Sequence, residues 1–119
     1  MKALLYNLQD NTVLKNTLAM MNVECIDVNY TEYNKPLGTL LGLDNNNINN
    51  NTIDFKDEMI IMYEFNNEQL DALLSLLKIN NIRIPLKAIV TDTNISWSSL
   101  QIRNELIKEH MYMHYKRSS

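Results

Sequence analysis

At 119 residues with a net charge of −3, the chain is the size of one domain and buries roughly two thirds of the surface its unfolded form exposes, so it folds without a metal or a disulfide. Its basic residues are scattered, with a single cluster at Lys116 and Arg117, which argues against nucleic acid or an anionic membrane as a partner. The lone cysteine, Cys25, cannot close an internal disulfide, and Met1 to Leu5 is too short an apolar segment for a signal peptide or a membrane span, so a cytoplasmic protein is expected.

Lys2 to Tyr6 reads as a buried strand, and Asn7 to Asn11 is rich in helix-capping residues. Leu14, Leu18 and Met21 then recur at helical spacing, giving an amphipathic helix over about Asn11 to Asn22. Val23 to Val28 is a second strand whose Glu24 and Asp27 suit an edge position. Both glycines, Gly38 and Gly42, follow Pro36 in a leucine-rich stretch. Pro36 at the first turn and Gly42 at the end predict a short connector helix, and no strand-to-helix turn carries the glycines of a phosphate loop. Residues 44–57 are asparagine-rich and aperiodic and are expected to be a mobile loop. The 18 asparagines of the chain are read as compositional drift, since most fall in apparent loops and helix ends.

Met59 to Tyr63 is the most continuous apolar run and predicts a central strand. Asn66 and Gln69 form a capping-box pattern ahead of Leu70, Leu73, Leu74 and Leu77, and that helix ends near Asn80 and Asn81. Leu86 to Thr91 gives the fourth strand, and Ser96 caps a last helix running to about Tyr115. Four strands, each followed by helix-like sequence and two of them continuously apolar, predict a single α/β domain over residues 1–119. It has three layers: a four-stranded, mainly parallel sheet of order 2-1-3-4 with helices on both faces. The alternative is a ferredoxin-like α+β sandwich, which leaves one sheet face open.

Three segments, Tyr33 to Gly42, Glu58 to Leu70, and Arg83 to Thr91 with Asn94 and Trp97, resemble a family of small bacterial proteins of clostridial type. That family is catalogued as a domain of unknown function, DUF3783-like, and the resemblance extends over nearly the whole chain. It implies no activity, cofactor or catalytic residue. Where the family often has glycine or cysteine near the end of the third strand, this chain has Tyr63 and Glu64.

Ligands of open parallel sheets bind at the carboxyl ends of the strands, which here gathers Asp10, Glu64, Asp92 and Asn94 as candidate ligand-binding residues. The competing reading makes Asp10 and Asn94 helix caps, like Asn66. His110 and His114, four apart on the last helix, complement its dipole and are not expected to hold a metal. Cys25, within a strand, is expected to be a small buried hydrophobe, so no catalytic residue and no cofactor are assigned. On the last helix Trp97, Leu100, Ile107 and Met111 form the expected core stripe, and Ile102, Leu106 and Met113 a second stripe, suited to a protein partner or a second copy or else covered by the Pro36 to Leu43 segment. The function expected is a noncatalytic protein-interaction or regulatory module. A small-ligand binder or enzyme using the polar strand ends is the alternative.

Overall fold

The protein, described from a computed structural model over residues 1–44 and 53–117 with side chains through residue 109, is an α/β domain built on one four-stranded sheet. Strands β1 (Lys2–Tyr6), β2 (Glu24–Asp27), β3 (Met59–Tyr63) and β4 (Leu86–Ile89) lie in the order β2-β1-β3-β4. The predicted order holds, and the predicted parallel character holds for two of the three pairs. β1 pairs parallel with β2 and β3 parallel with β4, while the central pair β1 and β3 is antiparallel, with Lys2 opposite Tyr63 and Tyr6 opposite Met59.

Both faces are covered, which excludes the ferredoxin-like alternative. On one face α1 (Thr12–Met20) and α3 (Asn67–Ile79) bring Leu14, Leu18, Leu73 and Leu77 onto Ala3, Leu5, Ile60 and Met62. On the other, α2 (Leu37–Leu40) and α4 (Ser99–Arg117) bring Leu37 and Ile102 onto Leu4, Tyr6, Met59 and Ile61. Because β1 and β3 are buried on both faces, consecutive residues must be apolar, each fully buried side chain contributing about 1.5–3 kcal/mol.

The two halves of the chain repeat one plan. Each runs strand, helix, parallel strand, a 3-10 turn (Tyr30–Glu32 in one, Asn94–Ser96 in the other) and a helix. The backbone is left-handed at equivalent points, Asn7 and Glu64 after the first strand of each half and Asn22 and Asn81 after the first helix. Asn11 and Asn66 cap the first helices through their side chains. Each of those helices ends in a Schellman motif, with Asn22 and Val23 donating to Ala19 and Leu18, and Asn81 and Ile82 donating to Lys78 and Leu77. Gly42 and Leu43 end α2 in the same way, on Thr39 and Gly38. With glycine confined to two positions, asparagine supplies three of the four other left-handed conformations among the described residues, so its abundance has structural content that drift alone does not describe.

Three boundaries differ from expectation. The cap of α4 is Ser98, whose Oγ accepts from Gln101 N at 3.1 Å, because Ser96 is taken up in the 3-10 turn. Both stripes expected on the last helix meet the core, Trp97, Leu100 and Ile107 packing against it half-buried. Ser99 and Ile102 are buried and Leu106 packs half-buried beside them, so the predicted outer stripe faces the sheet. Within the expected mobile loop of residues 44–57, residues 45–52 lie outside those described, but the end of the segment is fastened down. Phe55 is 5 % exposed and stacks on Tyr33 with ring centroids 4.2 Å apart. Asn7 Nδ2 donates to the carbonyls of Phe55 and Asp57, and Asp57 accepts from Arg103 at 2.7 Å and 2.9 Å. One aromatic residue with a deep seat outweighs the polarity of its neighbours.

Candidate functional site

The antiparallel central pair decides which polar residues meet. The carboxyl ends of β1 and β2 lie beside the amino ends of β3 and β4, so Asp10 shares an end with Glu58, while Glu64, Asp92 and Asn94 lie at the opposite end of the sheet. The four candidate ligand residues therefore do not converge. Asp10 is exposed, and the cap of α1 falls to Asn11, whose Oδ1 accepts from Leu14 N at 3.0 Å. Glu64 and Asp92 are exposed. Asn94 is buried, accepting from Thr91 N and donating to Ile89 O, and closes a turn. Of the candidate interface residues, Ile102 is 3 % exposed, Leu106 is half-buried, and the side chain of Met113 lies outside those described.

The end of the sheet that carries Asp10 is concave. Asn7, Asp10 and Glu58 line a shallow depression of about 520 Å³, and Asn7, Asp27, Tyr33 and Lys56 a smaller polar one of about 310 Å³. A groove of about 830 Å³ lies between the carboxyl end of α3 and the start of β4. Its apolar floor is Leu74, Leu77, Ile82, Ile84 and Pro85. Three cations, Lys78, Arg83 and Lys87, surround it against one carboxylate, Glu58, in a chain whose pI is about 5.3. Lys87 Nζ donates to Ile84 O at 2.7 Å. Among the described residues Lys78 and Arg83 make no ion pair, so their charges are available to a ligand.

The internal repeat shows what makes this groove. In the first half one residue, Val23, joins the left-handed Asn22 to β2. In the second half four residues, Ile82 to Pro85, join the left-handed Asn81 to β4. The shorter connection follows a helix of 9 residues, whereas α3 has 13 and runs about 6 Å further, and the three extra residues bring the chain back to β4. They supply Arg83 and Pro85 to the groove and anchor the loop through Ile84, 2 % exposed. Sequence reasoning missed Lys78, Arg83 and Lys87 because they sit on a helix, a loop and a strand and share no periodicity. The long connection after Asn81 is the signal that could have found them.

Reactive groups are not gathered in the same way. Burial, aided by the nearby Asp27, pushes the Cys25 thiol above its ordinary value, which leaves little thiolate at neutral pH. Among the described residues no group of three His, Cys, Asp or Glu side chains could hold a metal ion; the side chains of His110 and His114 lie outside those described. No helix among the described residues is long and apolar enough to cross a membrane.

Residues 58–113 match the model of a family described as Domain of unknown function (DUF3783). The match covers the second half of the repeat and all four charged residues of the groove. Tyr33 to Gly42, part of the resemblance seen in the sequence, falls outside it. No curated protein and no solved structure matches the chain.

Proposed function

We propose that the protein is a noncatalytic, cytoplasmic interaction module that docks an acidic, partly apolar protein segment in the groove between α3 and β4. The observation that carries this reading is the three-residue extension of the α3–β4 connection. It adds Arg83 and Pro85 to a groove with an aliphatic floor and two further cations, Lys78 and Lys87, in a chain that is acidic overall. An apolar floor rewards burial of aliphatic side chains, and the surrounding cations select acidic partners and speed their encounter. An open trough suits a peptide better than a small molecule, which needs most of its surface enclosed.

The test is fluorescence anisotropy with a labelled peptide of alternating glutamate and leucine, beside its lysine and leucine counterpart. The acidic peptide is expected to bind, to weaken as salt rises, and to lose at least tenfold in affinity against Lys78→Glu/Arg83→Glu, an amount typical of two lost charge contacts. Equal binding of both peptides, or an unchanged affinity in the double variant, refutes the proposal.

A further inference from the structure

The helix that forms one wall of the groove carries a self-complementary strip. Asp71, Leu74 and Lys78 follow one another at spacings of three and four, so they lie in line on one face of α3. Asp71 and Lys78 are exposed, and Leu74, between them, is 38 % exposed although large and apolar. Seven residues separate the two charges by about 10 Å along the axis, too far to pair within the helix, and among the described residues neither makes an ion pair. The helix dipole accounts for an acid early and a base late. It does not account for an exposed leucine between them that continues into the apolar floor of the groove through Leu77.

We infer that the protein forms a two-fold symmetric dimer through α3, with a second copy of the chain as the occupant of this face. A two-fold axis beside Leu74, midway between residues 71 and 78, sets two antiparallel α3 helices against each other. Asp71 then faces the partner's Lys78, Lys78 faces the partner's Asp71, and the two Leu74 side chains meet on the axis. The charge order along the strip inverts about its middle, which is the condition for a surface to match itself under two-fold symmetry. The inference deepens the groove reading above, since the acidic segment offered to the groove wall is the first half of a partner α3. It moves self-association from α4, whose Ile102 is in the core, to α3.

The experiment is sedimentation equilibrium of the full chain at low and high salt, with circular dichroism as the fold control. Wild type is expected to dimerise and to dissociate as salt rises. Asp71→Lys and Lys78→Asp each turn two attractions into two repulsions and weaken the dimer by roughly thirtyfold or more. An equimolar mixture of the two variants, and the double variant D71K/K78D, restore it, because both arrangements again set opposite charges face to face. A wild type that stays monomeric at millimolar concentration overturns the inference, as do single variants that dimerise like wild type or a mixture that fails to associate. If the acidic peptide still binds a monomeric wild type, the dimer falls and the groove reading stands. A salt-sensitive dimer that obeys the charge swap while the peptide does not bind removes the groove reading alone.

Discussion

Replacing Phe55 by alanine tests whether the segment entering β3 is a loop or part of the core. The ring is 5 % exposed, stacked on Tyr33 at an interplanar angle of 17° and 5.8 Å from Tyr6, with the Arg103 guanidinium 5.6 Å from its centroid. Removing a buried phenylalanine costs about 3–5 kcal/mol, the spread reflecting how far the site can collapse. Collapse is limited here, because Tyr6 is tied to Ser99 and the chain at and just after residue 55 is held by Asn7 and by the Asp57–Arg103 pair. Those bonds survive the substitution, so the loss should be about 3–4 kcal/mol. For a domain of this size that is a large fraction of a total of about 6–18 kcal/mol, and it lowers Tm by about 10–15 °C. Urea unfolding followed by circular dichroism measures it, with an unchanged slope showing that the denatured state is the same. A cost below about 1 kcal/mol, the level of an ordinary surface change, would mean that the aromatic stack is incidental and the segment is a loop after all.

The Tyr6 hydroxyl and Ser99 Oγ, both wholly buried, lie 2.6 Å apart, so Tyr6→Phe and Ser99→Ala should each cost about 1–2 kcal/mol and the double variant less than their sum. Burial holds the Tyr6 hydroxyl far above its ordinary value of 10.0; its folded pKa is the higher one, so its contribution is complete below the ordinary value and is lost as pH rises from there through the folded one, and Tyr6→Phe should flatten the alkaline fall in stability. Glu64 is left-handed at φ 61°, so Glu64→Gly should raise stability by up to about 1 kcal/mol and Glu64→Val lower it by about 1–2 kcal/mol. Thermal melts of both variants check the sign; a glycine variant less stable than wild type would show that the Glu64 side chain contributes more than its backbone costs.

Features set by neighbouring residues were legible in the sequence. The capping box at Asn66 and Gln69, the left-handed end at Asn81, the Gly42 terminus and the strand at Met59–Tyr63 each follow from a few adjacent side chains. Strand order also followed, because a crossover helix leaves few places for the next strand. The direction of β3 relative to β1 did not, since it depends on how the chain returns from α2, and nothing in that asparagine-rich stretch records a direction. That one undetermined orientation dispersed the candidate site, sending Asp10 to one end of the sheet and Glu64 and Asp92 to the other. The faces of α4 were misread for a related reason. Leu100, Ile102, Leu106 and Ile107 lie almost all round the helix, so its periodicity has no unique phase. The buried contact of Ser99 with Tyr6, invisible to a hydrophobicity count, fixes which side faces the sheet.

The internal repeat separates what the fold requires from what has been added to it. Strand β1, helix α1 and strand β2 show that a left-handed asparagine and one further residue suffice to return a helix to a parallel neighbour. Two additions stand out. α3 is longer than α1, with 13 residues against 9, and the connection after it is longer by three. The longer connection bears Arg83, and Lys78 stands at the end of α3 in the place that Ala19 holds in α1. Lys78 and Arg83 therefore fall at one corner and carry the same sign of charge, opposite to that of the chain as a whole. Structural demands scattered through a fold have no reason to agree in place and charge, whereas a surface that must recognise an acidic partner needs that agreement. This convergence favours a docking role for the corner, and the scaffold repeated in both halves supplies the rigid frame that holds it open.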